Sequence, residues 1–366
     1  MRFLFHFYDL QQRAGIQRAM CELANALVET GHEVTIASTT PSERVVFHLD
    51  PRVHLLITPH AEYKKSGVSA WLIKAAWAFR QAIVIRKFAR QTRPDLIVDH
   101  GTAFGLLYPF GTISGVPFVL QRHFPARSFP HGQLLYGLLR LISFSKVIVV
   151  LTEGIAHEMR SFGFRHIAVI SNVIPSGAQP APWPDSEPRM GLLLGRAVPQ
   201  KGFDLFLEAL SMNQPSGWHF VIAGPGVESS PLLHELINRH RLDGYVSLLP
   251  STDDPYTLIR QSSLLIMPSR YEALPMVALE ALSMARPVLA SDAEGLREIV
   301  IPWKNGAVFP VGDVATLSTT LSQLCGDPGA LLQLAAGSPS SVAHYDRNQI
   351  VRAWTKLAAS LAVASI

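Results

Sequence analysis

The sequence predicts an α/β protein of two domains, each a layered sheet with helices. Short apolar runs that read as buried strands alternate with helical patterns along the whole chain. Its 366 residues suffice for about two domains. Residues 176–188 contain four prolines and no apolar periodicity, which marks a linker. The expected boundaries are therefore 1–175 for the first domain, 176–188 for the linker and 189–345 for the second domain. A separate C-terminal helical segment covers 346–366.

Composition narrows the class further. Hydrophobic residues make up 48% of the chain and charged residues 16%, so core material is ample. No window reaches the ~18 uncharged apolar residues that span a bilayer. The N-terminal run Met1 to Asp9 is interrupted too early for a signal peptide and reads as a first buried strand. Cys21 and Cys325 lie in apolar helical patterns, as buried thiols do, which makes the cytoplasm the default compartment. The net charge of +4 hides an asymmetry: residues 1–175 hold 19 Lys/Arg against 11 Asp/Glu, and residues 176–366 hold 13 against 17. A basic first half suggests an anionic partner. Zinc-finger spacing and aromatic-basic RNA-binding signatures are missing, so a membrane surface is favoured over nucleic acid.

In the first half, Arg2–Tyr8 reads as a strand, Asp9–Ala14 as a polar loop and Ile16–Thr30 as a helix entered through Gly15 and closed by Gly31. Glu33–Ser38 and Val53–Ile57 follow as strands. On the residues alone Gly15 is an ordinary loop residue before a helix, and the GxGxxG fingerprint is missing. Lys64–Arg93 holds eight basic residues and no acidic one. Helical spacing places Arg80, Arg86, Lys87, Arg90 and Arg93 on one side and Val84, Ile85 and Phe88 opposite, while Phe79 and Ile83 break the pattern. Such a helix, with Trp71 and Trp77, suits a membrane interface, although a solvated cationic face would look alike. The strand Leu96–Asp99 ends at His100, and Phe118–Leu120 runs into Gln121-Arg122-His123. Both histidines thus fall at strand ends. Lys146–Leu151 is a further strand, with a helix behind it capped by Thr152 and Glu153, and Ile167–Ile170 closes this half.

In the second half, the strand Met190–Leu194 leads into Gly195-Arg196-Ala-Val-Pro-Gln-Lys201-Gly202, then a helix from Phe203. Gly195 allows close backbone approach. Arg196 and Lys201 place two cations at a strand end beside a helix N-terminus, where a leaving diphosphate would need them. Thr252-Asp-Asp-Pro255 reads as a helix cap, not a metal site. The decisive stretch follows the strand Leu264–Met267: Pro268-Ser-Arg-Tyr-Glu-Ala-Leu-Pro-Met-Val-Ala-Leu-Glu280, with a helix from about Pro275 to Met284 and a strand Pro287–Ser291. Glu272 lies in the loop at a strand's C-terminal end, and Glu280 lies one to two turns into the helix. Ligands bind at such strand ends in open α/β sheets, and a helix N-terminus offers N–H groups to an anion. The alternative is a helix-stabilising Glu272 and a solvated Glu280.

The two glutamates with seven residues between them, the following Ala-Arg-Pro-Val-Leu-Ala-Ser291 and the upstream Gly195-Arg196…Lys201-Gly202 resemble the signature of retaining GT-B glycosyltransferases of the family 4, group 1 type. That resemblance implies two Rossmann-like domains facing a cleft, with a C-terminal helix crossing back to the N-terminal domain. It implies that Arg196 and Lys201 neutralise a diphosphate, that Glu272 contacts sugar hydroxyls, and that the N–H groups of Ala273 and Leu274 approach sugar or phosphate. Glu280 would bind the nucleotide ribose, and His123 and Gly15 would line the cleft from the first domain. It further implies retention of anomeric configuration and no metal or other cofactor beyond the nucleotide-sugar co-substrate. Departures from the pattern are Ala273, Leu274 and Pro275 after Glu272, Ala285 where glycine is usual, and Glu294-Gly295 where a glycine pair is usual; these bear on donor identity. The expected activity is transfer of a sugar from a UDP-sugar to a lipid-linked or cell-surface glycan, of lipopolysaccharide core or exopolysaccharide type, by a peripheral protein at the inner face of the cytoplasmic membrane. A UDP-sugar 2-epimerase on the same architecture and a non-catalytic membrane scaffold are the rivals.

Overall fold

A computed structural model describes residues 1–7, 10, 15–38, 45–57, 70–100, 115–123, 147–185 and 187–363, with residues 70–78 and 363 described by backbone alone. The chain divides into two compact units, one of Met1–Val173 with Tyr345–Ile366 and the other of Ile174–His344.

The first unit is built on seven parallel strands. In chain order they are β1 (Arg2–His6), β2 (Glu33–Ser38), β3 (His54–Ile57), β4 (Leu96–Asp99), β5 (Phe118–Arg122), β6 (Val147–Val150) and β7 (Ile167–Val169). Their spatial order is β3-β2-β1-β4-β5-β6-β7. The direction of winding therefore reverses between β1 and β4, where His6 pairs with Asp99 in register. The helices described are α1 (Gly15–Glu29), α2 (Ala70–Thr92), α3 (Glu153–Ser161) and the final α11 (Arg347–Val363). Strands β1, β4 and β5 are buried almost throughout, as a parallel sheet covered on both faces requires.

The second unit repeats the plan with six parallel strands: β8 (Arg189–Leu194), β9 (Trp218–Ala223), β10 (Val246–Leu249), β11 (Leu264–Met267), β12 (Val288–Ser291) and β13 (Gly306–Phe309). Their order is β10-β9-β8-β11-β12-β13, which puts the reversal between β8 and β11. Its helices are α4 (Phe203–Met212), α5 (Pro231–His240), α6 (Pro255–Gln261), α7 (Met276–Ser283), α8 (Glu294–Arg297), α9 (Val314–Gly326) and α10 (Pro328–Ser341). Each unit has the Rossmann-like doubly wound order, which places ligands at the crevice outside the reversal point.

The expected crossing-back of the C-terminal segment is present. Ile350, Val351, Trp354 and Ala358 of α11 join the core formed by Phe3, Phe5, Leu23 and Leu27, and Arg347 reaches Glu29 (2.8 Å) and Glu22 (3.4 Å) on α1. Burial raises the Glu22 carboxyl above its ordinary range, against the opposing pull of Arg347.

One expectation is corrected in α2. The helix stops at Thr92, and Arg93 adopts a left-handed φ of 46°, so Arg93 lies past the helical face assigned to it. Phe79 and Ile83, which broke the apolar pattern, are 64% and 55% exposed, beside exposed Arg80, Lys87 and Arg90. Ile85 and Phe88 are buried as expected. Residues 64–69, the side chains of Trp71 and Trp77, and the loop 9–14 except Leu10 lie outside the described residues.

Candidate functional site

In the second unit the site grows from loops at the ends of β8, β9, β11 and β12. After Leu194 the chain turns at Gly195, whose N–H donates to Ala223 O (2.9 Å). A Cβ on Gly224 would lie 2.0 Å from Gly195 O, so these strand ends meet only because Gly224 has none. One 3₁₀ turn, Pro199–Lys201, then closes on Gly202 with φ 66°. A Cβ there would stand 2.0 Å from Pro268 O, which lets the β8 loop lie directly on the β11 loop.

Across that junction Lys201 Nζ donates to Glu272 Oε1 at 2.6 Å, and Ser269 Oγ donates to the same oxygen at 2.9 Å. Lys201 is 17% exposed and Glu272 6%, so this charge-assisted pair is largely withdrawn from water. Arg270 ties the same two loops together. Its guanidinium forks onto Asp204 (2.9 and 2.6 Å), its Nη1 also donates to Pro199 O (2.6 Å), and its backbone N–H donates to Gln200 O (2.8 Å). The guanidinium holds the Asp204 carboxyl below its ordinary range.

Behind Glu272 the chain enters α7 through Pro275, which provides no side-chain cap. The N–H groups of Ala273 and Leu274 donate to no acceptor among the described residues, although both residues are at least 95% buried. Buried N–H groups are nearly always paired, so these two are suited to an acceptor brought by a ligand. Gly295 N–H donates to Glu272 O (3.1 Å), and a Cβ on Gly295 would fall 1.8 Å from Ala273 O. Glu280 is fully buried, which rules out the solvated-face alternative. Arg196 is exposed and forms no ion pair among the described residues.

In the first unit the reversal point holds a buried polar cluster. His6 Nδ1 donates to Asp99 Oδ1 (2.7 Å), and His6 Nε2 lies 3.2 Å from Gln81 Oε1. His100 N–H donates to His6 O (2.9 Å). The His100 and His123 rings lie near parallel (25°) and edge to edge, with centroids 5.6 Å apart and Nδ1 of His100 3.3 Å from Nε2 of His123. Burial, with the facing His123 and His6, pushes His100 well below the ordinary histidine range. Burial and the neighbouring Arg122 push His123 down to about 3. Gly15 is the exposed first residue of α1, and a Cβ there would meet nothing within 4 Å among the described residues.

The structure thus joins Gly195, Lys201, Glu272, Ala273 and Leu274 through contacts in one unit, and His100 with His123 in the other. Among the described residues no group of three or more His, Cys, Asp or Glu could hold a metal ion. Asp254 caps α6 by accepting from Thr257 N–H (3.1 Å). Sequence reasoning missed His6, Gln81, Ser269, the Arg270–Asp204 fork and the close approaches at Gly202 and Gly224. His6 lies inside the run read as the strand Arg2–Tyr8, and only the structure places it at the end of β1.

Comparison with known proteins agrees with this geometry. The family described as Glycosyltransferase Family 4 matches residues 13–176, and Glycosyl transferases group 1 matches residues 179–337. The chain is 27% identical over 361 residues to the amylovoran biosynthesis glycosyltransferase AmsD of Erwinia amylovora, covering 92% of this chain and 98% of that one. Among solved structures it resembles the sucrose-phosphate synthase of Thermosynechococcus elongatus (TM-score 0.83, 15% identity, 99% of each chain). It also resembles HepE of Anabaena in complex with UDP and glucose (TM-score 0.75, 17% identity, 98% of this chain and 100% of that one). Two Rossmann-like units with matches to both families over 13–176 and 179–337 make the assignment: the chain belongs to the GT-B glycosyltransferases of the family 4, group 1 type.

Proposed function

We propose that this glycosyltransferase moves a sugar from a UDP-sugar, with retention and without a metal, onto a lipid-linked or cell-surface glycan of lipopolysaccharide core or exopolysaccharide type. The observation that carries the reading is the Lys201–Glu272 pair at the β8/β11 reversal, next to the undonated N–H groups of Ala273 and Leu274. Fixed positive charge and free N–H groups in a largely dry site stabilise the charge that develops on a departing diphosphate. Glu272 holds Lys201 in place and offers its carboxylate to sugar hydroxyls, Arg196 supplies a second cation, and Glu280 takes the ribose. The anomeric C–O bond to the diphosphate breaks, the acceptor oxygen bonds to the same face, and the acceptor proton leaves with a phosphate oxygen. The UDP bound by HepE supports the donor class, and the amylovoran-biosynthesis role in the name of AmsD accords with a biosynthetic transferase.

The membrane part of the reading rests on α2. Phe79 and Ile83 stand one helical turn apart and exposed beside Arg80, Lys87 and Arg90, a combination that favours an anionic membrane surface. No described helix is long and apolar enough to cross a membrane.

The test uses the full chain with EDTA, a panel of UDP- and GDP-sugars and a lipid extract from the source cells, following nucleotide release and lipid mass together. One donor should release nucleotide while a lipid gains one sugar residue. Lys201→Ala or Arg196→Ala should slow this by roughly 10²-fold; near-wild-type turnover in either removes that residue from its role. Rearrangement of the donor sugar with no lipid gaining mass identifies an epimerase instead, and binding without turnover a scaffold.

A further inference from the structure

The two facing histidines of the first unit share a single hydrogen-bonding proton, and the surroundings decide which ring holds it. His100 Nδ1 and His123 Nε2 are 3.3 Å apart, so one nitrogen donates and the other accepts. Both rings are neutral at physiological pH because burial disfavours their charged forms. The other nitrogen of His100, Nε2, is buried and meets no partner among the described residues. If His100 accepted at Nδ1, its proton would sit on Nε2 as an orphaned buried N–H. If it donates at Nδ1, Nε2 is only an unfilled acceptor. Orphaned buried N–H groups are the rarer of the two. The His100 ring is held in place by the edge-on Phe5 ring, 4.9 Å between centroids, and its backbone is pinned by the His6 carbonyl.

We propose that His100 is a positioning residue whose Nδ1–H donates to His123 Nε2, fixing His123 as the Nδ1–H tautomer, a neutral donor and not a base. The tautomer of an imidazole is set by the bond its other nitrogen makes. With its Nε2 lone pair occupied, His123 presents an N–H to a sugar hydroxyl or phosphate oxygen and does not take the acceptor's proton. The groups facing the pair deepen this. Arg122 adjoins His123, and His6, held by Asp99 and Gln81, lies behind His100. Placing His123 on the substrate side rests on the function proposed above; the tautomer does not.

The test is ¹H–¹⁵N long-range correlation on full-length protein carrying ¹⁵N-histidine, between pH 5.5 and 8. Wild type should show His123 protonated at Nδ1, bare at Nε2 and unchanged across that range. His100→Phe keeps an aromatic ring on Phe5 and removes the donor; His123 should then populate both tautomers, and kcat should fall roughly tenfold at nearly constant donor KM. His100→Asn places an amide N–H near the lost Nδ1–H and should restore both the spectrum and the rate. A wild-type His123 protonated at Nε2, a His123 that titrates within the range, or a spectrum untouched by His100→Phe overturns the proposal. Because the spectrum needs no turnover, a protein that shows the Nδ1–H pattern and transfers no sugar overturns the functional reading and leaves the tautomer standing.

Discussion

Ala285 terminates α7 with a left-handed φ of 58°. Its N–H donates to Leu282 O (3.1 Å) and that of Arg286 to Ala281 O (2.8 Å), which together form a Schellman cap. That conformation strains any residue with a Cβ, so Ala285→Gly should stabilise the protein by about 1 kcal/mol, read as a higher urea midpoint at unchanged slope. The buried histidines make a prediction of opposite sense. In the unfolded chain they protonate near 6.5, whereas His100 and His123 in the fold resist protonation until much lower pH. Below pH 6.5 the unfolded state therefore binds more protons, and stability falls as pH falls, by up to ~1.4 kcal/mol per pH unit for each histidine. His123→Asn should flatten that slope in denaturant titrations at pH 6.5 to 4.5; an unchanged slope would show that the His123 ring is not excluded from charging. Residue-level legibility followed the same division. Lys201 and Glu272 were readable because a charge at a strand end seldom lacks a purpose. His6 was hidden inside the apolar run Phe3–Phe7, and its partners Gln81 and Asp99 are 75 and 93 residues away.

At the scale of elements, strand–helix spans were legible because their apolar periods are local, and the convergence of loops was not, because it depends on what a missing Cβ permits. Gly224 against Gly195, Gly202 against Pro268 and Gly295 against Ala273 let four strand ends crowd together. Gly295→Ala should push the Ala273 carbonyl away, shift Glu272 from Lys201 and weaken UDP binding at least tenfold by calorimetry, with circular dichroism unchanged. Unaltered UDP affinity would mean the loop relaxes without disturbing the site. The proline-rich segment shows a different limit of composition. Its Ala181 and Pro182 carbonyls, which no strand ladder uses, accept from the buried Arg286 guanidinium, and Trp183 lies 5.8 Å beneath that guanidinium. Burial lowers Arg286 to about 10, which leaves it charged at neutral pH. The sequence marked 176–188 as neither helix nor strand, and only the fold reveals that this stretch docks on the second unit through an arginine about a hundred residues away.

For the whole molecule, the first unit is completed by the end of the chain. Positions 350, 351, 354 and 358 form one helical face of α11, and Trp354 is fully buried in the core that also holds residues of β1, α1 and β2. The ion pairs at Arg347 involve partly exposed carboxylates and contribute at most about 1 kcal/mol. Trp354 contributes more, since truncating a buried tryptophan leaves a cavity and costs about 3–5 kcal/mol. Trp354→Ala should therefore destabilise the first unit selectively. Differential scanning calorimetry should resolve an early transition for Met1–Val173 with the returning helix, while the Ile174–His344 unit melts near its wild-type temperature. On the proposed function, added UDP should raise the later transition and leave the earlier one in place. A single transition displaced as a whole would show instead that the two units unfold as one cooperative body, and a negligible displacement would show that α11 docks without depending on its tryptophan.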